Sequence, residues 1–278
     1  MARRLLTLGF VVHVHDIDLD KTEALKALGA VVHDSPASLS KQTRTTIICV
    51  VDHKQVDQLL DPKGSTSWWA TLQAGDTVFL CPTLAPDYVE TVAARLQTHG
   101  VCTVDAPMSG GPIRAEAGTM SLMVACDDAV FASQEKLLSA LSSHVFRIGT
   151  RVGDGARTKL VNNLLAGINL VGAAEVMALS EHLGLSLDTT LSVIEQSSGQ
   201  SWIGSERMRR ALVHDFAPRA HMTLLTKDTG LAVDAAKTAG FHGVLGPLAA
   251  QAFAKACEAG WADADDAAML QWVRQQQK

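Results

Sequence analysis

The spacing of apolar and polar residues differs between the two halves of this chain. Up to about residue 150, short β-rich runs such as residues 45–51, 77–80 and 121–125 are separated by segments with helical spacing. From residue 153 onward every strong periodicity is helical. The pattern predicts an α/β domain over residues 1–152, followed by an all-helical domain over residues 153–278.

Local signals place the individual elements. Gly9 and Gly29 are suited to end helices, and Ser35 followed by Pro36 is suited to begin one. Predicted strands cover residues 11–16, 30–33, 45–51, 77–80, 101–105 and 120–125, and the predicted helices between them include residues 1–9, 21–28, 56–60 and 87–99. Helices in the second half are predicted over residues 158–183, 187–196, 203–212, 225–239, 247–258 and 262–273. The run 45–51 is typical of a parallel strand buried on both faces.

The N-terminus departs from the usual order of such a domain. A dinucleotide-binding domain opens with a central strand and a Gly-x-Gly-x-x-Gly turn, whereas here a helix comes first and neither feature occurs. Asp16 closes the predicted strand 11–16, where it could bond a ribose hydroxyl and repel a 2′-phosphate, although an aspartate there is also a common turn residue. We therefore expect a Rossmann-like doubly wound domain that lacks its first strand, with a truncated N-terminus, an interrupted sheet and weak NAD binding.

Composition and charge narrow the class of protein. The 278 residues are 47% hydrophobic, which suits two soluble domains with ample cores, and the net charge of −5 without a basic cluster argues against a nucleic-acid partner. We expect no membrane span, because polar residues interrupt every apolar run. Five cysteines are scattered without metal-type spacing, and we interpret them as reduced core residues of a cytoplasmic protein that holds no metal.

A lysine and an amide mark the start of the helical half. The segment Gly153-Asp-Gly-Ala-Arg-Thr-Lys159-Leu-Val-Asn-Asn163 opens a long apolar helix, and Lys159 and Asn163 are four residues apart, so both lie on one helix face. The helix is apolar nearly all round, which indicates burial on most sides. A solvated lysine beside a helical asparagine is the alternative interpretation. A buried lysine and amide need partners or a chemical role.

A second motif follows the strand predicted at residues 101–105. It reads Asp105-Ala-Pro-Met-Ser109-Gly110-Gly111, with Gly118-Thr119 seven residues further on. A Ser-Gly-Gly turn exposes backbone N–H groups beside a hydroxyl, which suits a carboxylate or a phosphate, although a tight turn alone can also require the glycines. We interpret Ser109, Gly110 and Gly111 as candidate anion-binding residues.

Four motifs occur in the order found in one family. They are the two above, followed by Ser197-Ser-Gly-Gln-Ser-Trp202 and Lys227-Asp228-Thr-Gly-Leu-Ala-Val-Asp. The chain resembles the β-hydroxyacid dehydrogenases, which include 3-hydroxyisobutyrate, tartronate semialdehyde and L-threonate dehydrogenases. The resemblance runs from Met1 to about Trp272, and the third motif together with Phe216-Ala-Pro-Arg leans toward the L-threonate dehydrogenase branch.

The resemblance implies roles for particular residues. It implies that Lys159 is the catalytic acid/base, that Ser109, Gly110 and Gly111 hold the substrate carboxylate, and that Asn163 orients the substrate. It places Val50, Val51, Thr83 and Lys227 against an NAD cofactor, together with Asp16. It also implies a site in a cleft between two domains and a homodimer formed through the helical domain.

The chemistry of hydroxy-acid oxidation is consistent with these roles, and two alternative functions remain open. Oxidation of a hydroxy acid needs a group that accepts the hydroxyl proton, and a lysine can do so if burial or a nearby positive charge lowers its pKa. A cofactor-deficient paralogue that acts as a binding or scaffold protein is the main alternative, and an imine reductase is disfavoured by Lys159 and the Ser-Gly-Gly turn. His221 is the one histidine with a fair prospect of facing substrate. Trp202 is interpreted mainly as a core residue, with a position against the substrate as the alternative.

Overall fold

The structure is a computed structural model that describes residues 1–61 and 68–277. The chain forms two compact units, Met1–Lys159 and Leu160–Lys278. The first unit is α/β and the second is helical, as the hydrophobic pattern predicts.

The described residues of the first unit, 1–61 and 68–159, contain eight strands in two sheets. The strands are β1 (His13–Val14), β2 (Val31–Val32), β3 (Thr45–Ile48), β4 (Thr77–Leu80), β5 (Cys102–Asp105), β6 (Met108–Ser109), β7 (Ser121–Ala125) and β8 (His144–Gly149). β1 and β2 form a two-stranded parallel sheet, and the other six have the order β3-β4-β5-β7-β6, with β8 also paired to β7. β3, β4 and β5 are mutually parallel, whereas β7 is antiparallel to β5. This is a Rossmann-like arrangement with a mixed sheet.

Among the same described residues, eight α-helices lie in this unit or begin in it. They are α1 (Ala2–Thr7), α2 (Leu19–Lys26), α3 (Pro36–Ser40), α4 (His53–Leu59), α5 (Pro86–Gln97), α6 (Gly111–Ala117), α7 (Asp128–Leu141) and the start of α8 (Asp154–His182). Ser35 and Ser38 form a capping box at α3, as the Ser-Pro signal predicts. The sequence interpretation did not include β6, α6, α7 and β8.

Apolar side chains on both faces of the larger sheet form two cores. Phe79, Val104 and Leu122 belong to one core, together with Leu5 of α1 and Leu138 of α7. Val78 and Leu80 point to the opposite face and pack with residues of α4 and α5, including Val56, Val89 and Val92. Strand side chains alternate between faces, so one buried strand such as β4 serves both cores.

The sheet is interrupted, as the sequence predicts, at the place that the first strand of a doubly wound domain occupies. In the described part of the chain, β1 pairs with β2 alone, and β3 forms the edge of the larger sheet. A cavity of about 770 Å³ is lined by residues of β1, β3, α1 and α7, including Leu5, Val14, Ile47 and Leu137. β3 is shorter than the predicted run 45–51, and most of its residues are only half-buried, because its outer edge has no neighbouring strand. Burial on both faces was therefore wrong for most of this strand.

The second unit contains the rest of α8 and five further α-helices. These are α9 (Leu187–Glu195), α10 (Trp202–Leu212), α11 (Met222–Thr238), α12 (Leu245–Ala256) and α13 (Met269–Gln275). Leu170, Met177, Met208 and Phe253 are fully buried at its centre. The last predicted helix is shorter than expected, since residues 262–265 are not helical and a single turn over Asp266–Ala268 precedes α13.

Buried ion pairs join α10 to the segment before α13. Arg210 Nη1 lies 2.9 Å from Asp265 Oδ1, and the other oxygen of Asp265 accepts the backbone N–H groups of Arg219 and Ala220. Arg207 pairs with Asp266, whose pKa burial raises to about 6 although the arginine opposes the shift. Each buried carboxylate thus has partners that offset its desolvation.

Helix α8 is long and apolar enough to cross a membrane by length and composition alone. Leu170, Ala174, Met177 and Ala178 of this helix belong to the core of the second unit, so this part of α8 packs as a core helix. Val161 and Leu165 are exposed, however, so the prediction of burial on most sides was wrong for part of the helix.

Candidate active site

Candidate residues of the first unit gather at the carboxyl ends of its parallel strands. In the register of the sheet, Ile48 of β3 lies beside Leu80 of β4, and Leu80 lies beside Asp105 of β5. Val50 and Val51 follow β3 by two and three residues, and Thr83 follows β4 by three. Open parallel sheets bind ligands at this edge, because successive loops meet there.

Asp16 lies two residues after β1, at the end of the smaller sheet. Its side chain is exposed and accepts the backbone N–H of Asp18 at 2.9 Å, which is the contact of a turn residue. It also lines the cavity between the two sheets. The position suits the predicted ribose contact, and the turn interpretation applies as well.

Ser109, Gly110 and Gly111 form the passage from β6 into α6. Ser109 pairs with Ser121 of β7, and Gly110 and Gly111 have φ angles of 128° and 68°. Both values lie in the region that favours glycine. A Cβ on Gly110 would also lie 2.9 Å from the Arg114 side chain. The two glycines are therefore required by the backbone here, in addition to any role in anion binding.

Asp105 connects this region to the start of α8. Its Oδ2 accepts the backbone N–H of Gly153 at 2.8 Å and that of Ala156 at 3.0 Å. Gly155 is required beside it, because a Cβ there would lie 2.9 Å from Oδ2 and 2.7 Å from the carbonyl oxygen of Met123. Burial raises the pKa of Asp105 to about 6, and the backbone hydrogen bonds from α8 oppose that rise.

This carboxylate sets the start of the helix that carries Lys159. The amino end of a helix has N–H groups without partners within the helix and a positive dipole, so a buried acid there both pairs and orients it. Lys159 lies just over one turn into α8, and its side chain is buried. An ion-paired cluster adds support, since Arg157 contacts Glu90 of α5 at 2.7 Å and Asp154 at 2.9 Å.

The second unit holds a separate group of candidate residues. Asn163 Nδ2 donates to Asp228 Oδ2 at 2.5 Å, and Lys227 Nζ lies 2.9 Å from Asp228 Oδ1. Asn163 and Asp228 are both buried. Asp228 therefore fixes the side-chain amide of Asn163 with its NH₂ group toward the carboxylate. The amide oxygen of Asn163 accepts a hydrogen bond from Asn162 Nδ2 at 3.0 Å.

Two contributors were missed at the sequence level. Asp105 and Asp228 lie within the motifs, but the sequence alone assigns them no role. A charged residue that closes a buried strand, as Asp105 does, is a signal that could have been used. Asp228 has a weaker signal, because its partner Asn163 lies 65 residues away.

The structure also shows where the remaining candidate residues lie. His221 precedes α11, is exposed and places Nδ1 2.8 Å from the carbonyl oxygen of Asp263. Trp202 begins α10 and is 57% exposed, so its interpretation as a core residue was wrong. Asn162 and Glu175 of α8 are exposed, unlike Lys159 and Asn163. In the described ranges, 1–61 and 68–277, no group of three or more His, Cys, Asp or Glu residues could hold a metal ion.

Sequence profiles of known families match both units. The profile for the NAD-binding domain of 6-phosphogluconate dehydrogenase matches residues 1–149. A second profile, described as NAD-binding of NADP-dependent 3-hydroxyisobutyrate dehydrogenase, matches residues 153–273. Together with the Rossmann-like sheet, they define an NAD(P)-dependent oxidoreductase.

Individual relatives specify the family. An L-threonate dehydrogenase of Cupriavidus necator is 33% identical over 97% of this chain and 90% of its own length. The mitochondrial 3-hydroxyisobutyrate dehydrogenase of Homo sapiens is 28% identical over 100% of this chain and 84% of its own. A crystal structure of 3-hydroxyisobutyrate dehydrogenase from Salmonella typhimurium matches with a TM-score of 0.90 at 31% identity, covering 97% of this chain and 94% of that one. The chain belongs to the β-hydroxyacid dehydrogenase family, which confirms the resemblance drawn from its motifs.

Proposed function

We propose that this protein transfers a hydride between NAD and the hydroxyl-bearing carbon of a small hydroxy acid, of the L-threonate or 3-hydroxyisobutyrate type. The observation that carries the proposal is the hydrogen bonding of Asp105. This one buried residue ends the strand that leads to Ser109, Gly110 and Gly111, and it also holds the start of the helix that bears Lys159. A carboxylate-binding turn and a proton-transfer group would thus share a single rigid support.

Each residue has a proposed task. Ser109, Gly110 and Gly111 bind the substrate carboxylate, and Lys159 accepts the hydroxyl proton at its Nζ during oxidation and returns it during reduction. Asn163 orients the substrate, with its amide fixed by Asp228. NAD, when bound, supplies the hydride acceptor.

The residues at the carboxyl edge of the first unit fit a nicotinamide dinucleotide in part. Val50, Val51 and Thr83 follow the ends of the parallel strands β3 and β4, and Asp16 follows β1 of the smaller sheet, as dinucleotide-binding residues follow strand ends. Lys227, in the second unit, is the remaining cofactor residue in the proposal. We also place the protein in the cytoplasm and infer a homodimer formed through the helical domain.

The test compares Lys159→Ala with wild type in the oxidation of L-threonate and of 3-hydroxyisobutyrate, measured by NADH absorbance. We expect kcat to fall by about 10²–10⁴-fold, the usual contribution of an acid/base group, while NAD affinity changes little. Lys237→Ala, on the exposed face of α11, is the matched control. Retention of more than about a tenth of kcat by Lys159→Ala would refute the assignment.

One observation favours a second candidate. In the described residues, a cavity lies between β1 and β3 and no strand pairs with both of them, although a doubly wound domain binds its dinucleotide beside this part of the sheet. A cofactor-deficient paralogue with a binding or scaffold role would show no turnover with any hydroxy acid and no binding of NAD or NADP by calorimetry. Measurable saturation with either cofactor would exclude it.

A further inference from the structure

Two cysteines lie side by side at the carboxyl ends of β3 and β4. Cys49 directly follows Ile48, Cys81 directly follows Leu80, and the register pairs Ile48 with Leu80. The pairing continues beyond the strands, because the Cys81 N–H donates to the carbonyl oxygen of Ile48 at 3.1 Å. Cys49 and Cys81 are therefore neighbours across the two strands.

Both side chains also point to the same face of the sheet. Side chains alternate along a strand, and Ile47 and Phe79, two residues earlier in each strand, pack in the core beneath α1 and α7. Cys81 belongs to that same core. Neighbouring strands lie about 4.8 Å apart, which falls at the short end of the Cα–Cα range of about 4.4–6.8 Å found for disulfides.

The two thiols differ in access. Cys81 is buried, whereas Cys49 is exposed because it lines the cavity between the two sheets. A hydrogen bond with Cys81 lowers the pKa of Cys49 and raises that of Cys81. The accessible thiol thus ionises first, and thiolates are the reactive form of cysteine.

We propose that Cys49 and Cys81 form a reversible dithiol–disulfide site that reacts with small-molecule disulfides of the glutathione class. Cys49 attacks the reagent, whose S–S bond breaks as a bond to Cys49 forms, and the first small thiol leaves. Cys81 then attacks the Cys49 sulfur and displaces the second small thiol. Two cysteine thiols are oxidised, one external disulfide is reduced to two thiols, and the two cysteine protons go to those thiols.

The site lies next to the proposed cofactor residues. Val50 directly follows Cys49, and Thr83 is two residues beyond Cys81. The disulfide would tie the two loops together, because each cysteine directly precedes one of them. We infer that oxidation weakens NAD binding, and this second step rests on the proposed function.

The experiment equilibrates the whole chain with oxidised and reduced glutathione, alkylates the remaining thiols and maps peptides by mass spectrometry. We expect two of the five thiols to be lost from alkylation and a crosslinked peptide to join Cys49 to Cys81, fully reversed by dithiothreitol. Cys81→Ser should stop at a glutathione adduct on Cys49. Cys102→Ser is the matched control and should behave as wild type, because Cys102 pairs with Thr77 at the opposite end of the strands.

Two results would refute the proposed dithiol site: a glutathione adduct on wild-type Cys49 without a crosslink, or crosslinks distributed among other cysteines. For the second step, NAD titration of oxidised and reduced protein should show binding weaker by at least about threefold after oxidation, and equal affinities would overturn that step. If the reduced protein binds no NAD, the proposed function fails, while the peptide map still decides the dithiol site.

Discussion

Replacement of Asp105 by Asn should change how stability depends on pH. Burial raises the pKa of this carboxyl from 3.8 to about 6. The folded state therefore holds a proton that the unfolded chain has already lost between about pH 4 and pH 6. Since the folded state binds more protons in this window, the free energy of unfolding falls as pH rises through it.

The size of the effect follows from the shift. A difference of about 2 pKa units corresponds to about 3 kcal/mol at neutral pH, an order-of-magnitude figure in which the backbone hydrogen bonds from α8 are already included. Asn cannot ionise but keeps the shape and one acceptor oxygen for the Gly153 and Ala156 N–H groups. We expect Asp105→Asn to match wild type near pH 4 and to be more stable by about 2–3 kcal/mol near pH 7.

Urea unfolding followed by circular dichroism, at a series of pH values for both proteins, measures the difference. Asp266, whose pKa is also raised to about 6, is present in both and cancels in the subtraction. Asp263→Asn removes an exposed carboxylate and serves as the matched control. A constant stability difference between wild type and Asp105→Asn across this pH range would refute the assigned burial and charge state.

Three further outcomes are expected. NAD should be preferred over NADP, because Asp16 would repel a 2′-phosphate. Asp16→Ala should reduce the ratio of kcat/KM with NAD to kcat/KM with NADP, and equal use of both cofactors by wild type would contradict this. Calorimetric titration should show weak NAD binding, because in the described residues a cavity lies between β1 and β3 beside the proposed cofactor residues; a dissociation constant in the low micromolar range would contradict this. Phe253→Ala should lower the free energy of unfolding by about 3–5 kcal/mol, because Phe253 is fully buried in the second core; a loss below about 1 kcal/mol in urea unfolding would contradict that packing.

Much of the fold was determined by local sequence. The strand predicted at 77–80 has those bounds in the structure, Gly9 and Gly29 have positive φ after helices, and Ser35 caps α3. These features depend on side-chain periodicity and on backbone preferences of single residues, which act over a few neighbouring positions. The family resemblance, confirmed by the comparisons, likewise depended on short motifs in a fixed order.

Tertiary structure decided what depends on distant pairs of residues. The sequence did not show that β7 runs antiparallel to β5, that Asp105 reaches Gly153, 48 residues away, or that Asp228 holds Asn163. It also gave no indication that Trp202 and Val161 would be exposed, because an apolar residue in a helix is predicted buried whether or not another element covers it. Burial, and with it the raised pKa of Asp105, is a property of the packed surroundings, so only the folded arrangement of distant segments could determine it.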